Sequence, residues 1–123
     1  MIEEGRPLFL QIAENVEEQI VAGTLPEETR APSTNELAAF YRINPATAAK
    51  GVSMLVDRGV LYKRRGIGMF VAAGAREQIL TERREDFDAR YLHPLLTEAK
   101  RIGLDLDEVL ALLRRHDDNE RSP

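Results

Sequence analysis

Two helix starts stand so close together in this chain that they leave little choice of fold. Ser33-Thr34-Asn35-Glu36 carries a reciprocal capping pattern, in which the serine hydroxyl accepts from the backbone N–H of Glu36 and the glutamate reaches back. Asn44-Pro45 is a second start, a capping residue followed by proline at the first helical position, where its missing N–H costs nothing. The helix between them lasts only about two turns, with Leu37, Ala38 and Phe40 as its expected buried side, and Tyr41 to Asn44 is the short turn of a helix-turn-helix. The helix begun at Asn44 should run to about Arg58, with Val52, Leu55 and Val56 inward and Gly59 closing it. Ala48, Ala49 and Gly51 are small enough to let it approach a neighbour closely.

After Gly59 the hydrophobic period changes. Val60-Leu61-Tyr62-Lys63-Arg64 and Met69-Phe70-Val71 are short β-like runs around Arg65-Gly66-Ile67-Gly68, a glycine-containing hairpin tip. Phe40, Tyr62, Met69 and Phe70 read as core side chains. Upstream, Pro7 to Val21 reads as a helix with Leu8, Ile12, Val16 and Ile20 on one face, widened by Phe9 and Ala13. Glu14, Glu17 and Glu18 should face out, and Gly23 ends the helix. Three helices followed by a hairpin with a basic tip is the order of a winged helix, which assigns residues 1–73 to that domain.

Ala72-Ala73-Gly74 reads as a junction to a second region, residues 74–123. A long helix is expected from Arg76 to Ile102, with Leu80, Phe87, Tyr91, Leu95, Ala99 and Ile102 at helical spacing and a kink near His93 imposed by Pro94. Gly103 ends it. Asp105-Leu106-Asp107-Glu108 opens a last helix with another capping pattern, Leu104 and Val109 placed as its hydrophobic staple. Val109, Leu110, Leu112 and Leu113 make that helix amphipathic, and from His116 onward the composition is too polar to expect order. Leu80, Phe87, Tyr91, Leu95, Ile102, Leu106, Val109, Leu110 and Leu113 are the candidate dimerisation residues, more apolar surface than two helices can hide on each other. At 123 residues the chain accommodates one small domain and an appendage, and a core of that size is expected to be shared with a second copy. The expected fold class is therefore mainly α with a small β-hairpin: a winged helix-turn-helix plus a short two-helix dimerisation domain.

The net charge of −4 argues superficially against nucleic acid, but its distribution does not. Arg30 to Arg65 holds seven basic residues against Glu36 and Asp57 alone, while the acidic excess lies toward the two ends. Phosphate neutralisation is local, so a basic segment within an acidic chain is the relevant footprint. An interaction module without sequence-specific DNA binding is the alternative reading, and it has no need of basic residues on both helix and hairpin.

Enzymatic function finds little support. The two histidines, His93 and His116, are far apart, Ser33 and Ser53 have no histidine base nearby, and there is no cysteine. No metal and no cofactor is expected. The Gly-x-Gly tip lies in a hairpin, not before a helix as a phosphate cradle would. No apolar run approaches a membrane span, and Met1-Ile2-Glu3-Glu4 does not open as a secretory signal, so a cytoplasmic location is expected.

By Pro7-Leu8, Arg30-Ala31-Pro32-Ser33, Asn44-Pro45-Ala46-Thr47, Lys50 and Arg64-Arg65-Gly66-Ile67-Gly68-Met69-Phe70-Val71, the chain resembles the GntR family of bacterial regulators. The Asn-Pro-x-Thr helix start and the short C-terminal region resemble its YtrA-type subfamily. The resemblance covers residues 7 to 73 in motif, and the remainder in length and helical character. It implies a homodimer that binds double-stranded DNA at an inverted-repeat operator, usually as a repressor, relieved or tuned by a small-molecule effector. A region of this size does not enclose a pocket within one subunit, so an effector would sit at the dimer interface or between domains.

The resemblance places DNA contacts at Arg30, Ser33 and Asn35, at Asn44, Ala46, Thr47 and Lys50 on the recognition helix, and at Arg64, Arg65, Gly66, Ile67 and Gly68 on the wing. Three positions depart from the family pattern. Asn35 stands where arginine is common, Ala46 where the subfamily often has a polar residue, and Arg42 where the turn usually has glycine. Capping is the first reading of Asn44, whereas Thr47 and Lys50 are better placed for DNA.

Overall fold

The structure, a computed structural model, describes residues 4–121; Met1, Ile2 and Glu3 of the opening segment lie outside it. The chain divides into two compact units, one ending at Glu82 and one beginning at Arg83.

In the first unit, α1 (Leu8–Ala22) follows Pro7, which stands just before the helix as its cap. The helix ends where Gly23 takes the left-handed conformation. α2 (Thr34–Tyr41) and α3 (Pro45–Asp57) start as their capping residues dictate. The Ser33 hydroxyl accepts from the Glu36 N–H at 3.0 Å, and the Glu36 carboxylate accepts from the Ser33 N–H at 3.0 Å. β1 (Leu61–Arg64) and β2 (Gly68–Val71) pair antiparallel, with Leu61 opposite Val71 and Arg64 opposite Gly68.

The core lies where α1, α3 and the hairpin meet. Ile12, Val16, Ile20, Leu55, Val60, Leu61 and Val71 are all fully buried, at about 1.5–3 kcal/mol each, and α4 adds Ala75 and Ile79 to the same cluster. Gly51 sets how closely α1 and α3 approach: a Cβ there would stand 2.8 Å from the Phe9 carbonyl oxygen.

Glu17 and Phe40 do not sit where the sequence places them. Glu17 is buried, because the guanidinium of Arg58 meets its carboxylate at 2.9 Å and offsets the cost of taking that charge out of water. Phe40, in contrast, is 78% exposed. A two-turn helix buries a narrow stripe, and Leu37 and Ala38 fill it.

α4 (Ala75–Phe87) carries the chain out of the first unit. A π-helical turn (Asp88–Leu92) and α5 (His93–Arg101) follow. Pro94 has no N–H for the Arg90 carbonyl, and its ring would crowd that carbonyl. The expected kink near His93 takes the form of this widened turn just ahead of the proline, with the His93 N–H donating to the Asp88 carbonyl.

α6 (Leu106–Arg121) opens with the Asp105–Glu108 capping pair, each side chain accepting from the other's backbone N–H. It continues past His116, contrary to the expected loss of order. Charged residues such as Arg114, Arg115 and Glu120 are good helix formers, and Asp117 pairs with Arg121 one turn on. Ala99 and Val109 are buried within this second unit, while most of its large apolar side chains are not.

Candidate nucleic-acid interface

The turn between α2 and α3 is tight because Arg42 adopts φ 56° and ψ 50°, the left-handed conformation that glycine takes without steric cost. For arginine the cost is about 1–2 kcal/mol. The Arg42 N–H caps α2 at the Ala38 carbonyl, and the Ile43 N–H reaches the same carbonyl at 3.0 Å.

At the start of α3 the Asn44 side chain accepts from the Ala46 N–H at 2.8 Å, so its oxygen is committed to the cap. Ala46 is exposed and Thr47 half-buried, with Lys50 exposed one turn beyond Thr47. The Lys50 ammonium lies 4.0 Å from the centre of the Phe9 ring, a cation–π contact with the first turn of α1.

The wing has more backbone than its two strands. The segment from Glu28 to Ala31 lies along β2: the Glu28 N–H donates to the Val71 carbonyl at 2.7 Å, the Val71 N–H to Thr29 at 3.0 Å, and the Ala31 N–H to Met69 at 2.8 Å. Arg30 stands opposite Phe70 in an isolated bridge. Strand alternation then gathers Arg30, Tyr62, Arg64, Gly68 and Phe70 on the face away from the core. The Tyr62 and Phe70 rings stack at 6.0 Å, and the Arg64 guanidinium lies 4.6 Å from the centre of the Phe70 ring.

Gly68 is needed here twice over. Its φ is 142°, and a Cβ would come within 3.1 Å of Arg30 Nε, so that the path by which Arg30 crosses the wing would have to shift by a few tenths of an ångström. At the far end of that path Arg30 meets the Glu36 carboxylate at 3.4 Å. The Ser33 backbone N–H, then its hydroxyl, and last the charge of Arg30 hold Glu36 below the ordinary carboxylate range, against a small opposing effect of desolvation. The pair is exposed and of little energetic weight, leaving the guanidinium available to a phosphate.

Of the wing residues marked in the sequence, Arg64, Arg65, Gly66 and Ile67 are exposed, and Gly68 is half-buried beneath Arg30. Asn35 is exposed on α2 and Ser33 is engaged as a cap. Tyr62, Met69 and Phe70, expected in the core, are half-buried. Met69 packs against the core from the inner face, whereas Phe70 serves as a platform for Arg64 on the outer one. The partnership of Phe9 with Lys50 and the third backbone segment of the wing carry no sequence signal of their own.

Three helices, a tight turn before an exposed helix face and a basic wing define a winged helix-turn-helix transcriptional regulator. Residues 8–71 match the bacterial regulatory proteins of the gntR family, and the chain belongs to that family. The uncharacterised HTH-type transcriptional regulator YhcF of Bacillus subtilis is 29% identical over 108 residues, covering 88% of each chain. The HTH-type transcriptional repressor YtrA of the same organism is 26% identical, over 84% of this chain and 78% of that protein.

Among solved structures, a GntR-family regulator from Bacteroides thetaiotaomicron superposes with a TM-score of 0.78 at 29% identity, over 93% of this chain and 99% of that one. The DNA-binding domain of AraR in complex with its operator ORX1 superposes with a TM-score of 0.53 at 30% identity, over 58% of this chain and 87% of that one. The winged helix, the helical C-terminal region and the regulator class expected from the sequence are those of these proteins. Among the described residues no helix is long and apolar enough to cross a membrane.

Proposed function

We propose that two copies of this chain pair through residues 74–123 and repress transcription by binding an inverted-repeat operator with residues 1–73, tuned by a small molecule. Thr47 and Lys50 read base edges in the major groove, and Asn44 caps the helix that carries them. Arg30, Ser33 and Asn35 meet the backbone beside α2. Arg64, Arg65 and the Gly66-Ile67-Gly68 tip enter the adjacent minor groove, where small residues let arginine approach the negative potential.

The observation that carries the dimer is the apolar surface of the second unit. Phe87, Tyr91, Ile102 and Leu106 are each at least half exposed, and Leu95, Leu110 and Leu113 add to them. Covering the exposed part of all seven, at about half of the 1.5–3 kcal/mol for full burial, supplies roughly 5–10 kcal/mol of gross energy against the entropic cost of association. Val109 is buried and Leu80 half-buried, so these two offer a partner little.

Sedimentation of the full chain, followed by gel shifts at low and moderate salt, tests the proposal. A dimer whose Tyr91→Asp/Leu106→Asp variant is monomeric and loses operator affinity is the expected result. A monomeric wild type, or DNA binding that does not weaken with salt, overturns it.

A further inference from the structure

A helix axis is fixed by holding it at two points, and the first two turns of α4 are held at both. At the start, the Glu27 carboxylate accepts from the Gly74 N–H at 2.8 Å and from the Arg76 N–H at 3.3 Å. Arg76 Nε donates to the Val21 carbonyl at 2.9 Å. The second set of anchors, Gln78 and Glu82, lies roughly 6 to 12 Å beyond Gly74 along the axis. There Gln78 Nε2 donates to the Arg58 carbonyl at 2.7 Å and to the Glu82 carboxylate at 3.2 Å, and the Arg58 guanidinium donates to Glu82 as well. Ala75, within the first set, and Ile79, within the second, are buried.

Arg58 is also the residue that caps the C-terminus of the recognition helix α3. Its second amino nitrogen donates to the buried Glu17 of α1 at 2.9 Å. One planar fork thus ties the end of α3 to α1 and to α4 together, a geometry that the single ammonium of lysine does not reproduce.

We infer that the Arg58–Glu82–Gln78 clamp determines which spacing between two DNA half-sites the protein prefers. The inference rests on the dimeric reading above. In a two-fold dimer paired through residues beyond Glu82, the direction in which α4 leaves the recognition helix bears on how far that helix can stand from the symmetry axis. That distance, read along the duplex, is a number of base pairs. None of the three side chains belongs to the proposed DNA contacts. Loosening the clamp leaves each recognition helix as it was and lets a dimer reach several spacings.

The test titrates full-length protein, by fluorescence anisotropy, against duplexes carrying one half-site and against two half-sites whose spacer varies base pair by base pair. The half-site is taken from DNA that the wild type selects from a random pool. Wild type should prefer one spacer by about tenfold or more over its neighbours. A Gln78→Ala/Glu82→Ala variant should bind the single half-site within about twofold of wild type, with its spacer preference reduced below about threefold. Arg58→Lys, which keeps a cation beside Glu17, should flatten the preference in the same way and serves if the double variant does not fold. A variant that keeps the wild-type spacer preference overturns the inference alone. So does one that loses half-site and two-site affinity in equal proportion. If wild type binds two half-sites no more tightly than one at any spacer, the dimeric reading fails and the inference with it; a wild type that gains from the second half-site but prefers no spacer overturns the inference alone.

Discussion

Lys50 of the recognition helix rests its ammonium 4.0 Å from the centre of the Phe9 ring, one helix away. In the free protein the ring holds that charge in place, at about 0.5–1 kcal/mol for an exposed contact, and Gly51 beside it lets the two helices approach closely enough for the contact to form. Lys50→Ala and Thr47→Ala should each cost about 1–3 kcal/mol on the operator and less on random DNA. Phe9→Leu removes the ring and keeps the lysine, so its cost should be smaller than that of Lys50→Ala. Anisotropy titrations on the two kinds of DNA measure this; equal losses on every sequence would mean that neither side chain reads bases.

The wing should behave differently. Arg65 is exposed at the hairpin tip, and on the proposed reading it neutralises phosphate. Arg65→Ala should weaken specific and random DNA alike and flatten the dependence of log affinity on log salt by about one. An unchanged salt slope would remove Arg65 from the backbone contacts.

Arg42 bears a conformational cost that glycine would not. Arg42→Gly should raise the unfolding free energy by up to about 1 kcal/mol, the relief of the left-handed strain less the added freedom of the unfolded chain. If Arg42 earns its place by a phosphate contact, the same variant should melt higher and bind DNA more weakly. Thermal unfolding and DNA titration of one preparation separate the two effects.

The acid sensitivity of the clamp follows from Glu82. Burial opposes its ionisation, but hydrogen bonds from Gln78 and Arg58, with the Arg58 charge, outweigh this and hold its carboxyl below the ordinary value of 4.5. A carboxyl depressed by folding stabilises the fold fully above its unfolded pKa and loses that contribution as pH falls through the folded value. Wild type should therefore melt higher than Glu82→Gln at about pH 7, and the margin should shrink steadily below about pH 4.5. A margin independent of pH would show that the Glu82 charge contributes nothing. Because Glu82 is substantially exposed, the effect is expected to be small.

What could be read from the sequence was set by local chemistry. The capping pairs at Ser33–Glu36 and Asp105–Glu108, and the Asn44-Pro45 start, formed as expected because each satisfies backbone groups within one turn. The left-handed Arg42 was signalled only by the family resemblance, which usually has glycine at that turn position. Features that depend on distant partners were not legible. Glu28 to Ala31 has no strand-like pattern, and only its hydrogen bonds to β2 make it part of the wing. Glu17 looks like a surface residue until Arg58 is brought beside it. Ala72-Ala73-Gly74 is a turn, as its composition indicates, yet the helix after it returns Ala75 and Ile79 to the core of the first unit. Among the DNA-contact candidates, their exposure on helix and wing was legible, whereas the rings beneath Lys50 and Arg64 were not.

Selection of bound DNA from a random duplex pool by the full chain, followed by sequencing, tests most directly the claim that this is a dimeric, sequence-reading regulator. The expected result is an enriched inverted repeat that Thr47→Ala and Lys50→Ala no longer select, while Arg65→Ala selects the same sequence with less yield. A pool without enrichment, or a single asymmetric half-site bound at full affinity, would contradict it.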